Sequence, residues 1–154
     1  MLLYHGTVHN FTDPDLSRGR DATDFGKGFY VTDSLKMAKD WRKGYSGKRI
    51  NVYDLTLSQI DSCKLHIRRY KAADINWAKF VYNNRRGKSK NMKFDIIIGP
   101  LADNSYNKWF DKIDRGEISW DQLANKINYT RFKSIQYCFK TPNSIKLLKY
   151  VQSK

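Results

Sequence analysis

A single mixed α+β domain is the fold class that this sequence predicts, and three observations lead to it. The chain has 154 residues, enough for one hydrophobic core and too few for two comfortable ones. Short aromatic and β-branched runs at 29–32, 49–55, 94–100 and 134–139 read as strands. Between them lie apolar segments of helical period, each opened by a Ser, Thr or Asp suited to capping. No repeat, linker or low-complexity tract divides residues 1–154.

Taken in order, Leu2-Leu3-Tyr4-His5 is a short apolar strand stopped by Gly6-Thr7, which leaves His5 at the strand end. Residues 11–24 form a polar loop with Pro14, Arg18, Gly19 and Arg20. The stretch Asp24-Phe25-Gly26-Lys27-Gly28 follows, and glycines one residue apart suit a turn where the backbone approaches a neighbour or a ligand closely. Phe29-Tyr30-Val31-Thr32 leaves that turn as a strand. Asp33 or Ser34 then caps a helix through Leu35, Met37, Ala38 and Trp41, expected to run to about Tyr45 before Gly44 and Gly47 break the chain.

Residues 49–55 alternate as a strand does, and Leu65-His66-Ile67 reads as another short one. Asp74 caps a helix over 75–85 that buries Trp77, Ala78, Val81 and Tyr82 and ends at Gly87. A basic loop, 88–93, leads into the continuous apolar run Phe94 to Pro100, which implies burial on both faces. A helix after Asn104 ends near Gly116. Ser119-Trp120-Asp121-Gln122 is a capping box for the next helix, to about Asn128. Ser134 to Phe139 is expected as the final strand, and Thr141-Pro142 opens a C-terminal helix.

Composition narrows the partners. Twenty-nine Lys and Arg against fifteen Asp and Glu give a net charge of +14, with a pI near 9.8. Such an excess suits an acidic partner, a phosphorylated ligand or simply a well-solvated surface. Cys63 and Cys138 do not combine with His5, His9 and His66 in any metal-ligand spacing, so no metal is expected and Cys138 is placed in the core. The N-terminus lacks a signal-peptide pattern, and no apolar run approaches the ~20 residues of a membrane span. A reducing, cytoplasmic setting without membrane contact follows as an expectation.

Three separated segments share one pattern. Leu3-Tyr4-His5-Gly6-Thr7 resembles the aromatic-His-Gly-Ser/Thr first-strand motif of ADP-ribosyltransferases of the diphtheria-toxin and poly(ADP-ribose) polymerase type. Phe25-Gly26-Lys27-Gly28-Phe29-Tyr30-Val31 is similar to their Phe-Gly-Lys-Gly-Ile-Tyr-Phe motif, and Ile135-Gln136-Tyr137 lies where they carry the third catalytic residue. A narrower group of small bacterial members resembles nearly the whole chain, at Ser17 to Arg20, Asp24 to Tyr30, Asn84 to Gly87 and Asp95 to Asp103.

The resemblance implies a split antiparallel β-sandwich with flanking helices, and a mono-ADP-ribosyltransferase that cleaves NAD. The acceptor would be a protein or nucleic acid, the setting a bacterial toxin or phage-defence effector, and a cognate antitoxin a further partner. The resemblance gives the catalytic residues as His5, Tyr30 and Gln136. The NAD-binding set adds Gly6, Thr7, Arg20, Gly26, Lys27, Gly28 and Phe29. Gly6 would pair with the nicotinamide carboxamide, Tyr30 would stack on the ring, and His5 would bond a ribose hydroxyl. Arg86 and Asp103 are secondary candidates, each with an ordinary structural reading beside it, as a helix-end cation and as a helix cap.

Gln136 departs from the glutamate many active members carry. A carboxylate about 4 Å from a developing positive charge contributes on the order of 4 kcal/mol at an effective dielectric of 20, and an amide supplies only a dipole. The single glutamate, Glu117, sits in a turn ill-placed for the role. Gln136→Glu is therefore expected to preserve or raise NAD cleavage. The alternative is a weakened NAD- or ADP-ribose-binding module with a basic, nucleic-acid-binding face.

Overall fold

A computed structural model describes residues 1–41, 49–62, 64–88, 93–102, 105–128 and 134–154. Seven strands form one hydrogen-bonded sheet: β1 Leu2–Thr7, β2 Phe29–Thr32, β3 Arg49–Asp54, β4 Ile67–Arg69, β5 Ile96–Pro100, β6 Ile135–Phe139 and β7 Lys149–Ser153. Their order is β4-β5-β6-β2-β1-β3-β7. Each junction is antiparallel except the one between β4 and β5, which is parallel. The helices are α1 Leu35–Asp40, α2 Leu57–Ser62, α3 Ile75–Arg85, α4 Ser105–Asp114, α5 Trp120–Asn128 and α6 Pro142–Ile145.

Side-chain alternation splits the core between the two faces of the sheet. Ile97 and Cys138 join Phe25, Trp77, Val81, Phe110 and Leu123 under α3, α4 and α5. Ile96, Ile98, Tyr137 and Phe139 join Leu3, Phe29, Val31, Tyr53 and Leu148 on the other face. β5 is buried along its whole length, as its apolar run requires.

Local chemistry sets the boundaries. Ser34 accepts from the Met37 N–H to open α1, and Asp74 accepts from Trp77 to open α3. Ser119 and Gln122 form the reciprocal capping box. Gly87 and Gly116 take positive φ, 66° and 70°, just past α3 and α4.

Three expectations are corrected, and one helix is new. The C-terminal helix shrinks to the single turn of α6, although its Thr141 cap and Pro142 are as read. The chain then adds β7, so β6 is not the last strand; every β7 residue but the last is exposed, and the two-residue alternation that marks a strand is missing. The strand read at 65–67 lies at Ile67–Arg69, where two exposed arginines on a sheet edge carry no apolar pattern. α2 buries only Ile60 and gave no periodic signal. The end of the helix expected over 34–45 lies outside the described residues.

Candidate active site

The sheet opens between β1 and β2. The Met1 carbonyl accepts from the Leu55 N–H at 2.9 Å, so alternation turns the backbone groups of odd residues in β1 toward β3 and those of even residues toward β2. Tyr4 meets Thr32 there. The same register would bring Gly6 to Tyr30, yet Tyr4–Thr32 is the one registered pair at this junction among the described residues. His5 takes the place of the missing pairing: its Nδ1 donates to the Tyr30 carbonyl at 2.6 Å. By this alternation the Gly6 N–H and C=O are directed toward the gap, where Gly6 has no registered partner in β2.

That hydrogen bond fixes the tautomer. A carbonyl can only accept, so Nδ1 carries the proton and Nε2 keeps a lone pair. Burial lowers the His5 pKa, against a smaller opposing effect of the Tyr30 carbonyl, and the ring stays neutral. It stacks on Phe29 with centroids 4.4 Å apart. Gly6 itself is dictated by packing, since a Cβ there would lie 2.0 Å from the Ala38 carbonyl oxygen of α1.

Tyr30 anchors the glycine turn from inside. Its hydroxyl accepts from the Phe25 N–H at 3.0 Å and donates to the Gly26 carbonyl at 2.5 Å. Burial of that hydroxyl raises its pKa well above the usual tyrosine value. Lys140 holds the outside of the turn, its Nζ donating to the Phe25 and Lys27 carbonyls at 2.7 and 2.6 Å. The two glycines serve different ends. Gly26 adopts φ 77°, whereas a Cβ on Gly28 would meet Cys138 Sγ at 2.4 Å.

Beneath the opening lies a buried polar network. Gln136, 3% exposed, donates from Nε2 to Asp24 Oδ2 at 2.8 Å and to the Pro100 carbonyl at 3.3 Å. Asp24 Oδ2 also accepts from the Ala102 N–H. Its Oδ1 accepts from Arg85 Nε at 2.7 Å, and Arg85 reaches on to Asn107 and the Ala102 carbonyl. The carboxylate and guanidinium are nearly enclosed, with 11% and 13% of their side chains exposed.

These groups share one cleft of about 920 Å³, lined among others by His5, Gly6, Thr7, Arg20, Gly28, Phe29, Tyr30 and Gln136. Its volume falls within the range of small-molecule sites. A family model described as protein of unknown function (DUF3990) matches residues 1–150. The chain belongs to that family. No curated protein and no solved structure matches it.

Within this DUF3990 chain, most residues singled out from the sequence come together at the cleft. Gly26 and Lys27 do not line it; they build the turn behind it. Arg86 reaches the rim but is held by Asp111 and Asp114 at 2.9 and 2.8 Å. Arg18 is held by Asp15. Arg20 lines the cleft with no side-chain partner among the described residues. Asp103 lies outside the described residues.

Sequence reasoning missed several lining residues of this DUF3990 chain, among them Asp24, Trp41 and Asn107. Asp24 opens the glycine stretch, but nothing local reveals a partner 61 positions away. Trp41 reads simply as one more apolar helix residue, yet it closes α1 and lines the cleft. Among the described residues no cluster of His, Cys, Asp or Glu could hold a metal, and no helix is long and apolar enough to cross a membrane.

Proposed function

We propose that this protein is an NAD-dependent mono-ADP-ribosyltransferase with an ADP-ribosyltransferase-like fold. The observation that carries the reading is the opened β1–β2 junction, where one glycine offers a donor and an acceptor side by side. A carboxamide has the complementary acceptor and donor in that spacing. Tyr30 and Trp41 supply aromatic faces in the same cleft, worth about 0.5–1.5 kcal/mol beyond burial for a stacked ring. The neutral His5 has a lone pair for a ribose hydroxyl, and Arg20, with no side-chain partner among the described residues, has a guanidinium for a diphosphate.

In the reaction the bond from ribose C1′ to the nicotinamide nitrogen breaks. Nicotinamide leaves with the electron pair, a nucleophilic atom of the acceptor bonds to the cationic carbon, and the proton it carried passes to solvent. Gln136 orients the ribose as that charge develops. The net charge of +14 favours an acidic macromolecular acceptor, protein or nucleic acid.

Incubation with NAD and measurement of nicotinamide release tests the reading, with transfer of labelled ADP-ribose to cell extract following the acceptor. One observation favours a second reading, an NAD- or ADP-ribose-binding module: Gln136 carries no charge, and Arg85 neutralises Asp24. NAD binding without nicotinamide release identifies the module. Absence of binding rejects both.

A further inference from the structure

We propose that Asp24 and Arg85 are positioning residues that fix the Gln136 amide with its oxygen toward the cleft, so that this position requires an amide and rejects a carboxylate. The proposal deepens the NAD-cleaving reading and rests on it for its activity measurements. Both protons of Nε2 are consumed inside the protein, one by Asp24 Oδ2 at 2.8 Å and one by the Pro100 carbonyl at 3.3 Å. Turning the amide over would aim its oxygen at a carboxylate and a carbonyl, two groups that only accept. The orientation is fixed by that chemistry.

Oε1 has no partner among the described residues, and Gln136 lines the cleft. What the side chain presents to a ligand is one acceptor and no donor, suited to a hydroxyl that donates. Asp24 holds this aim only because Arg85 balances its charge, from the end of α3 and through two nitrogens. The Ala102 N–H fixes the other oxygen. A glutamate, which the chemistry of oxocarbenium stabilisation alone would favour, would put a second carboxylate oxygen against Asp24 and the Pro100 carbonyl.

Gln136→Glu is the deciding variant. Among the described residues, the charged and titratable groups around the position are Asp24 before β2, Arg85 on α3, Tyr30 on β2, and Cys138 and Lys140 along and just after β6, with His5, Arg20 and Arg86 elsewhere in the cleft. Burial beside Asp24 raises the folded pKa of the introduced carboxyl above its unfolded value of about 4.3. Its neutral form is then accommodated at low pH, and stability is lost as pH rises through the folded pKa. The gap in Tm between wild type and variant is expected to widen by at least about 3 °C from pH 5 to pH 8. Nicotinamide release at pH 8 is expected to fall roughly 100-fold.

A variant as stable as wild type at both pH values, or one that releases nicotinamide as fast, overturns the proposal. If wild type itself releases none, the thermal comparison still decides the lock, and only the enzymatic reading falls. Should the variant not fold at any pH, NMR of the wild-type side-chain amide decides. Its signals are assigned by their loss in Gln136→Met. Slow solvent exchange that Arg85→Lys accelerates is the expected result. Fast exchange in wild type, or exchange indifferent to Arg85→Lys, overturns the assignment. In turnover, Arg85→Lys is expected to lower kcat with little change in KM, because a loosened amide affects the transition state.

Discussion

The two sides of β2 are built differently. Toward β6 it runs a full ladder, Phe29 to Phe139, Tyr30 to Cys138, Val31 to Tyr137 and Thr32 to Gln136. Toward β1 it makes the single pair Tyr4–Thr32, and an imidazole occupies the next position. On the closed side, polar groups are spent on one another and on Asp24. On the open side, the Gly6 amide and the His5 lone pair are kept available. Pairing is complete on the side packed into the core and stops at one pair on the side of the cleft.

The largest expected effect strikes the support of the closed side. Arg85→Met leaves Asp24 charged and enclosed with no counter-ion, and loss of one partner of a buried pair costs about 3–5 kcal/mol. Denaturant unfolding measures it. On the open side, Gly6→Ala forces a Cβ against the backbone of Ala38. Overpacking of this kind costs about 1–3 kcal/mol. It also moves the β1 edge, so nicotinamide release should disappear while the remaining sheet still folds. A Gly6→Ala protein with undiminished release would separate the opened edge from function.

Tyr30→Phe sharpens the contrast, since Tyr30 belongs to both sides. The ring is retained, and the loss of hydrogen bonds to Phe25 and Gly26 costs about 1–2 kcal/mol of stability. NAD affinity is expected to follow the ring and hold, as isothermal titration would report. Tyr30→Ala removes both functions and cannot tell them apart.

His5 supplies a pH test. Its folded pKa lies below the unfolded value of about 6.5, so the unfolded chain binds the extra proton first and stability declines as pH falls through that value. The slope in that window is bounded by about 1.4 kcal/mol per pH unit. His5→Asn, with an amide nitrogen close to where Nδ1 stood, should flatten the profile. The smallest effect belongs to the rim: Arg86→Gln breaks half-exposed pairs with Asp111 and Asp114 and should cost less than about 1 kcal/mol.

How much of this was legible follows from range. Strands with alternating or continuous apolar residues, and helices with Asp74, Ser34 or Ser119 at their caps, announce themselves within a few positions. β7 and β4 do not, because edge strands with exposed side chains have no burial pattern to display. At the site, His5, Gly6, Tyr30 and Gln136 stood out through the resemblance of three segments to the motifs of a known family. Asp24 could not, because its meaning comes from Arg85 and Gln136, 61 and 112 positions distant. The polarity around Gln136, whose amide nitrogen meets the Asp24 carboxylate and the Pro100 carbonyl, is a tertiary property that no local pattern displays.

The sparse seam at Tyr4–Thr32 also has a mechanical meaning. It joins a four-strand plate, β4-β5-β6-β2, to a three-strand plate, β1-β3-β7. Each plate has its own ladders and the seam carries one registered pair, so a relative motion of the two, expected to be felt first at the seam, would change the width of the gap. A molecule that bridges Gly6 and Tyr30 would act as a strut between the plates. Its binding should be felt far from the contact, as slower amide exchange along β1 and β2 together.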